Sequence, residues 1–345
     1  MTAPTPGTAP THTPRFLQLH HEDRAAAVRD GLVRGLLAPV AVTAPKYLYA
    51  DLGSRLFDAI TELPEYYLTR TEAAIFSAHL PEMAARWPAG ATLVDLGAGN
   101  CEKAARLFQA LQPARYVAVD ISVDYLRLAL QRLQGQHPGI DMVGVGMDFS
   151  PALTLPPEAV ATGLDGKENP HVLFYPGSSI GNFTPGQALT FLRQARAAIA
   201  QGGAGGGLLI GVDLVKPAAI LEPAYDDALG VTAAFNRNLL LHINRLTGAD
   251  FRLTDWRHVA LFNTAASRIE MHLEAVASVT VRWPATAGAV PMNERHFAAG
   301  ERIHTENACK WHAADFDALL RSAGFTATQA WTDAKDWFAV FWAQG

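Results

Sequence analysis

Six short groups of residues in this chain have types and spacings that suit chemistry. Gly97-Ala98-Gly99 follows the apolar run Leu93-Val94-Asp95-Leu96 and precedes Asn100. That order reads as strand, tight turn and helix start, where glycine lets a ligand approach the backbone and free helix N–H groups face it. Asp120 closes the next apolar run, Tyr116-Val117-Ala118-Val119, and a carboxylate there can accept from both hydroxyls of a ribose. Asp148-Phe149 closes a third run, so that the acid can take an adenine amino group while Phe149 supplies an amide and an apolar wall; the alternative is a solvated acid at a strand end. Asn182 and Phe183 lie in the loop 177–185 after a fourth run, where the amide can hold an amine, although a Gly/Asn turn explains the same residues. Tyr66-Tyr67 offers ring faces to a cation, or else is a surface pair or a domain contact. Glu306, between Thr305 and Asn307, can accept from a ring N–H, or stand as a solvated loop acid.

Two ligand classes compete for the glycine turn. A dinucleotide site carries a third glycine that brings the helix close beneath a pyrophosphate. Here that position is Glu102. S-adenosylmethionine has a ribose and a charged amino-acid tail but no phosphate, so Gly-x-Gly with an acidic ribose partner suffices. The residues therefore favour a methyltransferase over an NAD-linked dehydrogenase.

The elements that must position these groups alternate. Strands are expected at 93–96, 116–120, 142–149, 171–176 and 208–215, with helices over 102–111 and 122–133 between them. Asn100, Ser122, Ser54 and Thr71 are expected as helix caps, and Thr184 caps a helix whose first residue is Pro185. The glycines of 201–207 have no helix after them, so they read as a surface turn and not as a phosphate loop. Beyond Pro217 the alternation breaks into a long helix and several strands, and a helix and strand at 337–342 close the chain. The fold is read as an α/β, Rossmann-like methyltransferase sheet with an additional α+β substrate-binding domain. Its expected parts are a disordered tail (1–20), an N-terminal helical part of the substrate domain (21–80), the cofactor core (81–215), an inserted substrate region (216–302) and a C-terminal return to the core (303–345).

Composition narrows the partners. With 345 residues, 49% apolar and 18% charged, the chain can bury one large or two modest cores. A net charge of −5 and the lack of any Lys/Arg run argue against nucleic acid. No apolar run is long enough to span a bilayer. Two cysteines far apart in sequence suit neither a disulfide framework nor a metal site. A cytoplasmic monomer acting on a small molecule, with no metal, is the expectation.

Several ordered stretches then carry a resemblance: 49–60 with 63–72, the loop 177–185, 214–238 with Tyr225-Asp226-Asp227, 267–273 and 303–310. Together they resemble the histidine-specific S-adenosylmethionine-dependent methyltransferases, which place three methyl groups on the α-amino nitrogen of histidine to give hercynine, the first step toward ergothioneine. The resemblance implies cofactor contacts at Gly97, Lys103, Asp120, Asp148 and Phe149, with Gly99 completing the turn. It implies that Asn182, Tyr225 and one tyrosine of Tyr66-Tyr67 hold the amine and carboxylate, and that Glu306, Asn307 and Ala308 grip the imidazole. Asn182 and Tyr225 are the residues closest to the chemistry on this reading. Where the family pattern has Ser-Tyr, this chain has Ala308-Cys309, which removes one hydroxyl from the ring site. The rival readings are a methyltransferase of another free, aromatic amino acid and a non-catalytic protein that binds S-adenosylmethionine.

Overall fold

The computed structural model describes residues 12–18, 24–160, 168–285 and 292–345. In chain order the strands are β1 (Arg15–Gln18), β2 (Ala41–Val42), β3 (Thr92–Leu96), β4 (Arg115–Asp120), β5 (Asp141–Gly146), β6 (Pro170–Tyr175), β7 (Gly203–Asp213), β8 (Trp256–Asn263), β9 (Arg268–Ala275), β10 (Val279–Pro284), β11 (Met292–Phe297), β12 (Arg302–Cys309), β13 (Thr328–Thr332) and β14 (Phe338–Gln344). Eight of them form one sheet in the order β1-β5-β4-β3-β6-β7-β14-β13, and β2-β12-β9-β8 form a second. From β1 to β7 the large sheet is parallel; β14 and β13 close it antiparallel. The chain reverses direction across the sheet between β3 and β6, which opens a crevice at their carboxyl ends.

Strand periodicity explains the two-sided burial. On β3, Leu93 belongs to the core on one face and Val94 and Leu96 to the core on the other. The Val94 face is covered by helices Pro185–Ile199 and Ala313–Ser322. The Leu93 face is continuous with the second sheet through residues such as Trp256, Leu273 and Ile303. Thr184 caps Pro185–Ile199 in a full capping box with Gln187, worth about 1 kcal/mol.

Several sequence expectations are revised. Arg15–Gln18, assigned to the disordered tail, is an edge strand on β5, with Phe16 fitting against Gly144; residues 1–11 of that tail lie outside the described residues. Gly203 to Gly207 are not a surface turn but the first half of β7. A Cβ on Gly206 would overlap the His171 carbonyl, so the glycines permit close strand approach. β5 stops at Gly146, before Asp148. The helix expected over 102–111 is two short ones, Glu102–Ala105 and Phe108–Leu111. Ser54 lies inside helix Asp51–Thr61 and Thr71 inside Tyr67–Ala84, so neither is a cap. Ser122 holds the cap position, but its hydroxyl donates to the Tyr49 carbonyl instead. Cys101 is the residue before Glu102–Ala105, while Asn100 accepts from the Glu102 amide at 3.1 Å. Arg302–Cys309, placed in the return to the core, pairs with β9 in the second sheet; the large sheet resumes at β13, a strand the sequence reading did not contain.

Candidate active site

A cavity of about 820 Å³ lies over the crevice, within the range of small-molecule sites. One wall comes from the loops at the carboxyl ends of the parallel strands: Gly97 and Gly99 after β3, Asp120 at the end of β4, Asp148 and Phe149 after β5, and Ser179 and Asn182 after β6. Further lining comes from Lys46, Tyr49 and Phe57 of the N-terminal helical part and from His304 to Asn307 of β12.

The glycine turn is left-handed at both Gly97 (φ 71°) and Gly99 (φ 53°), and a Cβ on Gly97 would meet nothing within 4 Å. Absence of side chains there keeps the turn open to a ligand. The Asp120 carboxylate is fixed by the amides of Gly99 (2.9 Å) and Ser122 (2.8 Å). Burial raises its pKa, against the lowering effect of those amides. Burial raises Asp148 too, but the 2.7 Å bond and charge of Lys46, together with hydrogen bonds from Ser150, outweigh that and hold its carboxyl below the usual range. These groups fit the nucleoside half of S-adenosylmethionine: an open backbone turn, a fixed acceptor beside it, and an acid next to the Phe149 ring.

β12 delivers four consecutive residues to the cavity because its register on β9 slips between His304 and Glu306. A bulge turns side chains that strict alternation would send to opposite faces. Glu306 is buried, and its Oε2 has no hydrogen-bond partner among the described residues. Burial pushes its pKa up to about 8 despite the nearby Lys310 ammonium.

Behind this wall sits a charged cluster. Asp213, fully buried at the end of β7, pairs with Lys216 at 2.6 Å and Lys310 at 2.7 Å, and accepts from the Tyr67 hydroxyl at 2.7 Å. Lys310 also donates to the Tyr225 hydroxyl at 2.9 Å. Burial lowers Lys216 to about 8, against the raising effect of Asp213.

Of the residues singled out from sequence, Gly97, Gly99, Asp120, Asp148, Phe149, Asn182, Glu306 and Asn307 share the cavity wall. Lys103, Tyr66, Tyr67, Tyr225 and Ala308 lie outside it. Tyr66 and Tyr67 are both buried, which adjacent residues achieve because Tyr66 is the turn into helix Tyr67–Ala84 and Tyr67 its first residue. Tyr67 is committed to Asp213, whereas Tyr66 packs edge-on against Phe57 and Tyr225. Lys103 pairs with Glu72. Missed from sequence were Tyr49 and Lys46 on the wall and Asp213, Lys216 and Lys310 behind it. Only Asp213 carried a signal, as an acid inside an otherwise apolar strand.

With no third glycine to draw a helix beneath a pyrophosphate, and with a parallel sheet closed by an antiparallel hairpin, the fold and the cavity define a Rossmann-like, S-adenosylmethionine-dependent methyltransferase. Residues 27–345 match the family described as histidine-specific methyltransferase, SAM-dependent, and the chain belongs to that family. It is 40% identical to the histidine N-alpha-methyltransferase of Mycolicibacterium smegmatis, over 92% of this chain and 95% of that one. The enzyme of the same name from Mycobacterium tuberculosis is 39% identical, over 91% and 94%. Ergothioneine biosynthesis protein 1 of Neurospora crassa is 29% identical over 84% of this chain and 32% of its own length. The cofactor is S-adenosylmethionine. Among the described residues no helix is long and apolar enough to cross a membrane, and no group of three or more metal-ligating side chains occurs.

Proposed function

We propose that the protein transfers three methyl groups from S-adenosylmethionine to the α-amino nitrogen of free L-histidine, giving hercynine for ergothioneine biosynthesis, and that it acts as a cytoplasmic monomer. The observation that supports the substrate is Glu306: a buried carboxyl whose Oε2 has no partner among the described residues, on the wall shared with Asp120 and Asn182. An imidazole N–H supplies the missing donor, and leaving such an acceptor unpaired costs about 1–3 kcal/mol. Gly97, Gly99, Asp120, Asp148, Phe149 and Lys103 hold the cofactor, which supplies an electrophilic methyl group on a sulfonium. Asn182 has no useful basicity and acts by positioning the amine, while Tyr225 and Tyr66 back the wall at the amine and carboxylate end and come within reach of the substrate only if a side chain shifts. Asn307 and Ala308 flank the ring.

Repeated methylation turns the amine into a quaternary cation. Tyr49 faces the cavity and packs edge-on against Phe57 and Phe235 at 5.4 and 5.5 Å, and Phe57 in turn meets Tyr66. Such an aromatic lining favours the more methylated product and supports three additions. The test is mass spectrometry of products formed from S-adenosylmethionine and a pool of free amino acids. Trimethylated histidine is expected as the main product, with N-acetylhistidine unreactive. Preference for tryptophan or tyrosine would overturn the histidine assignment, and cofactor binding without any product would make the protein a non-catalytic binder.

A further inference from the structure

Glu72, the partner of Lys103, has been given no part in the site so far. It lies on helix Tyr67–Ala84, is 2% exposed, and spans the ends of three central strands. Its Oε2 accepts from Lys103 Nζ at 2.7 Å, just beyond the glycine turn after β3. Its Oε1 accepts from the Gly177 amide at 2.7 Å, in the turn after β6. Two glycines clear the space. A Cβ on Gly211 of β7 would overlap Oε1, and a Cβ on Gly177 (φ 74°) would lie 2.9 Å from Lys103 Nζ. A buried carboxylate reached through two cut-away positions is a built feature of the crevice.

The Lys103 side chain keeps 36% of its surface exposed, in contrast to its partner. An ammonium has three donors, and Glu72 uses one. Across the sheet the strands run β5, β4, β3, β6, so Asp148 and Phe149 after β5, Asp120 at the end of β4 and Gly97 and Gly99 after β3 point in sequence toward Lys103 and the Gly177 turn after β6. That is where the amino-acid tail of a cofactor with its ribose at Asp120 must run.

We infer that Glu72 is a positioning residue for this tail: it holds the Lys103 ammonium over the Gly177 turn, with two donors free for the tail carboxylate. The inference rests on Lys103 being a cofactor contact. Without Glu72 a long lysine side chain regains its rotamer freedom and leaves the crevice. Glu72 also ties the tail site to the helix that begins with Tyr67, so cofactor and substrate walls share one support.

The experiment compares two ligands by calorimetry on the full chain: S-adenosylhomocysteine, which has the tail, and 5′-methylthioadenosine, which lacks it. Glu72→Gln should weaken S-adenosylhomocysteine at least tenfold and change methylthioadenosine less than twofold. Lys103→Met should show the same pattern, and the double variant should bind no more weakly than Lys103→Met alone. Equal loss for both ligands in Glu72→Gln, or additive losses in the double variant, would overturn the inference. A wild-type ligand ratio in Lys103→Met would instead remove Lys103 from the cofactor site, a failure of the earlier reading. Should Glu72→Gln not fold, Glu72→Asp keeps the charge and withdraws it by one methylene; a loss confined to S-adenosylhomocysteine supports the proposal, and an equal loss for both refutes it.

Discussion

Replacing Glu306 by glutamine keeps the shape of a cavity-wall residue and removes a carboxyl that burial has pushed up to about 8 from its ordinary 4.5. Between those two values the unfolded chain has released a proton that the folded chain retains. Folding then takes up a proton, so this group's contribution to stability falls as pH rises through the window, and levels off above about pH 8. Each unit is worth about 1.36 kcal/mol, so from pH 5.5 to 7.5 the carboxyl's cost to the ligand-free protein rises by about 2.5 kcal/mol. Glutamine titrates nowhere. The advantage of Glu306→Gln over wild type should therefore grow by about 2.5 kcal/mol across the same interval, measured by urea unfolding of both proteins at the two pH values without ligands. Taking the difference between the two proteins cancels every other titrating group. An advantage that does not change with pH would mean that Glu306 is already ionised in the folded protein, with Lys310 prevailing over burial. The same variant should raise KM for histidine by about tenfold, because the bound imidazole N–H draws the carboxyl into its ionised form whereas glutamine offers only a neutral acceptor, so a more stable protein would be a poorer enzyme.

Asp120→Ala should weaken cofactor binding by about 1.5–3 kcal/mol, the range for hydrogen bonds to a charged group; unchanged affinity by calorimetry in a folded variant removes Asp120 from the site. Tyr225→Phe takes an acceptor from Lys310 and should cost about 1–3 kcal/mol of stability, together with a raised KM for histidine; a KM equal to wild type would show that Tyr225 is structural. Ala308→Ser should lower KM for histidine by about two- to tenfold if its hydroxyl reaches the ring, as one neutral hydrogen bond allows. No change would leave Ala308, which is buried outside the cavity wall, without a part in ring recognition.

The wall formed by the loops after β3, β4 and β5 was legible because each of its residues closes or shortly follows an apolar run. Gly97, Gly99, Asp120, Asp148 and Phe149 need only the rule that parallel strands present their carboxyl ends together. Thr184 and Pro185 were equally local, a helix cap and a first helical residue side by side. Phe16 and Gly144 show the opposite case: the edge strand exists because a ring fits a missing side chain more than a hundred residues away, and nothing near Phe16 announces it. The bulge between His304 and Glu306 depends on how β12 meets β9, so a polar run that resembles a loop turns out to be strand. Lys216 and Lys310 were invisible for an energetic reason. Lysine is buried only when something far away in sequence neutralises it, and here that partner is Asp213.

The Asp213 cluster also bears on how the molecule comes apart. It gathers the last residue of β7, the lysine three positions on, the first turn of helix Tyr67–Ala84 and, through Lys310, the end of β12. Pulling the second sheet away would strip Lys310 from Asp213 and Tyr225 in the same movement that exposes the apolar layer running from Leu93 to Trp256. Partial opening along that seam gains little chain entropy for the charges and apolar surface it uncovers. The two sheets should therefore lose amide-exchange protection together, as one cooperative unit, and a fragment cut between Asp213 and Lys310 should hold neither sheet in its native form.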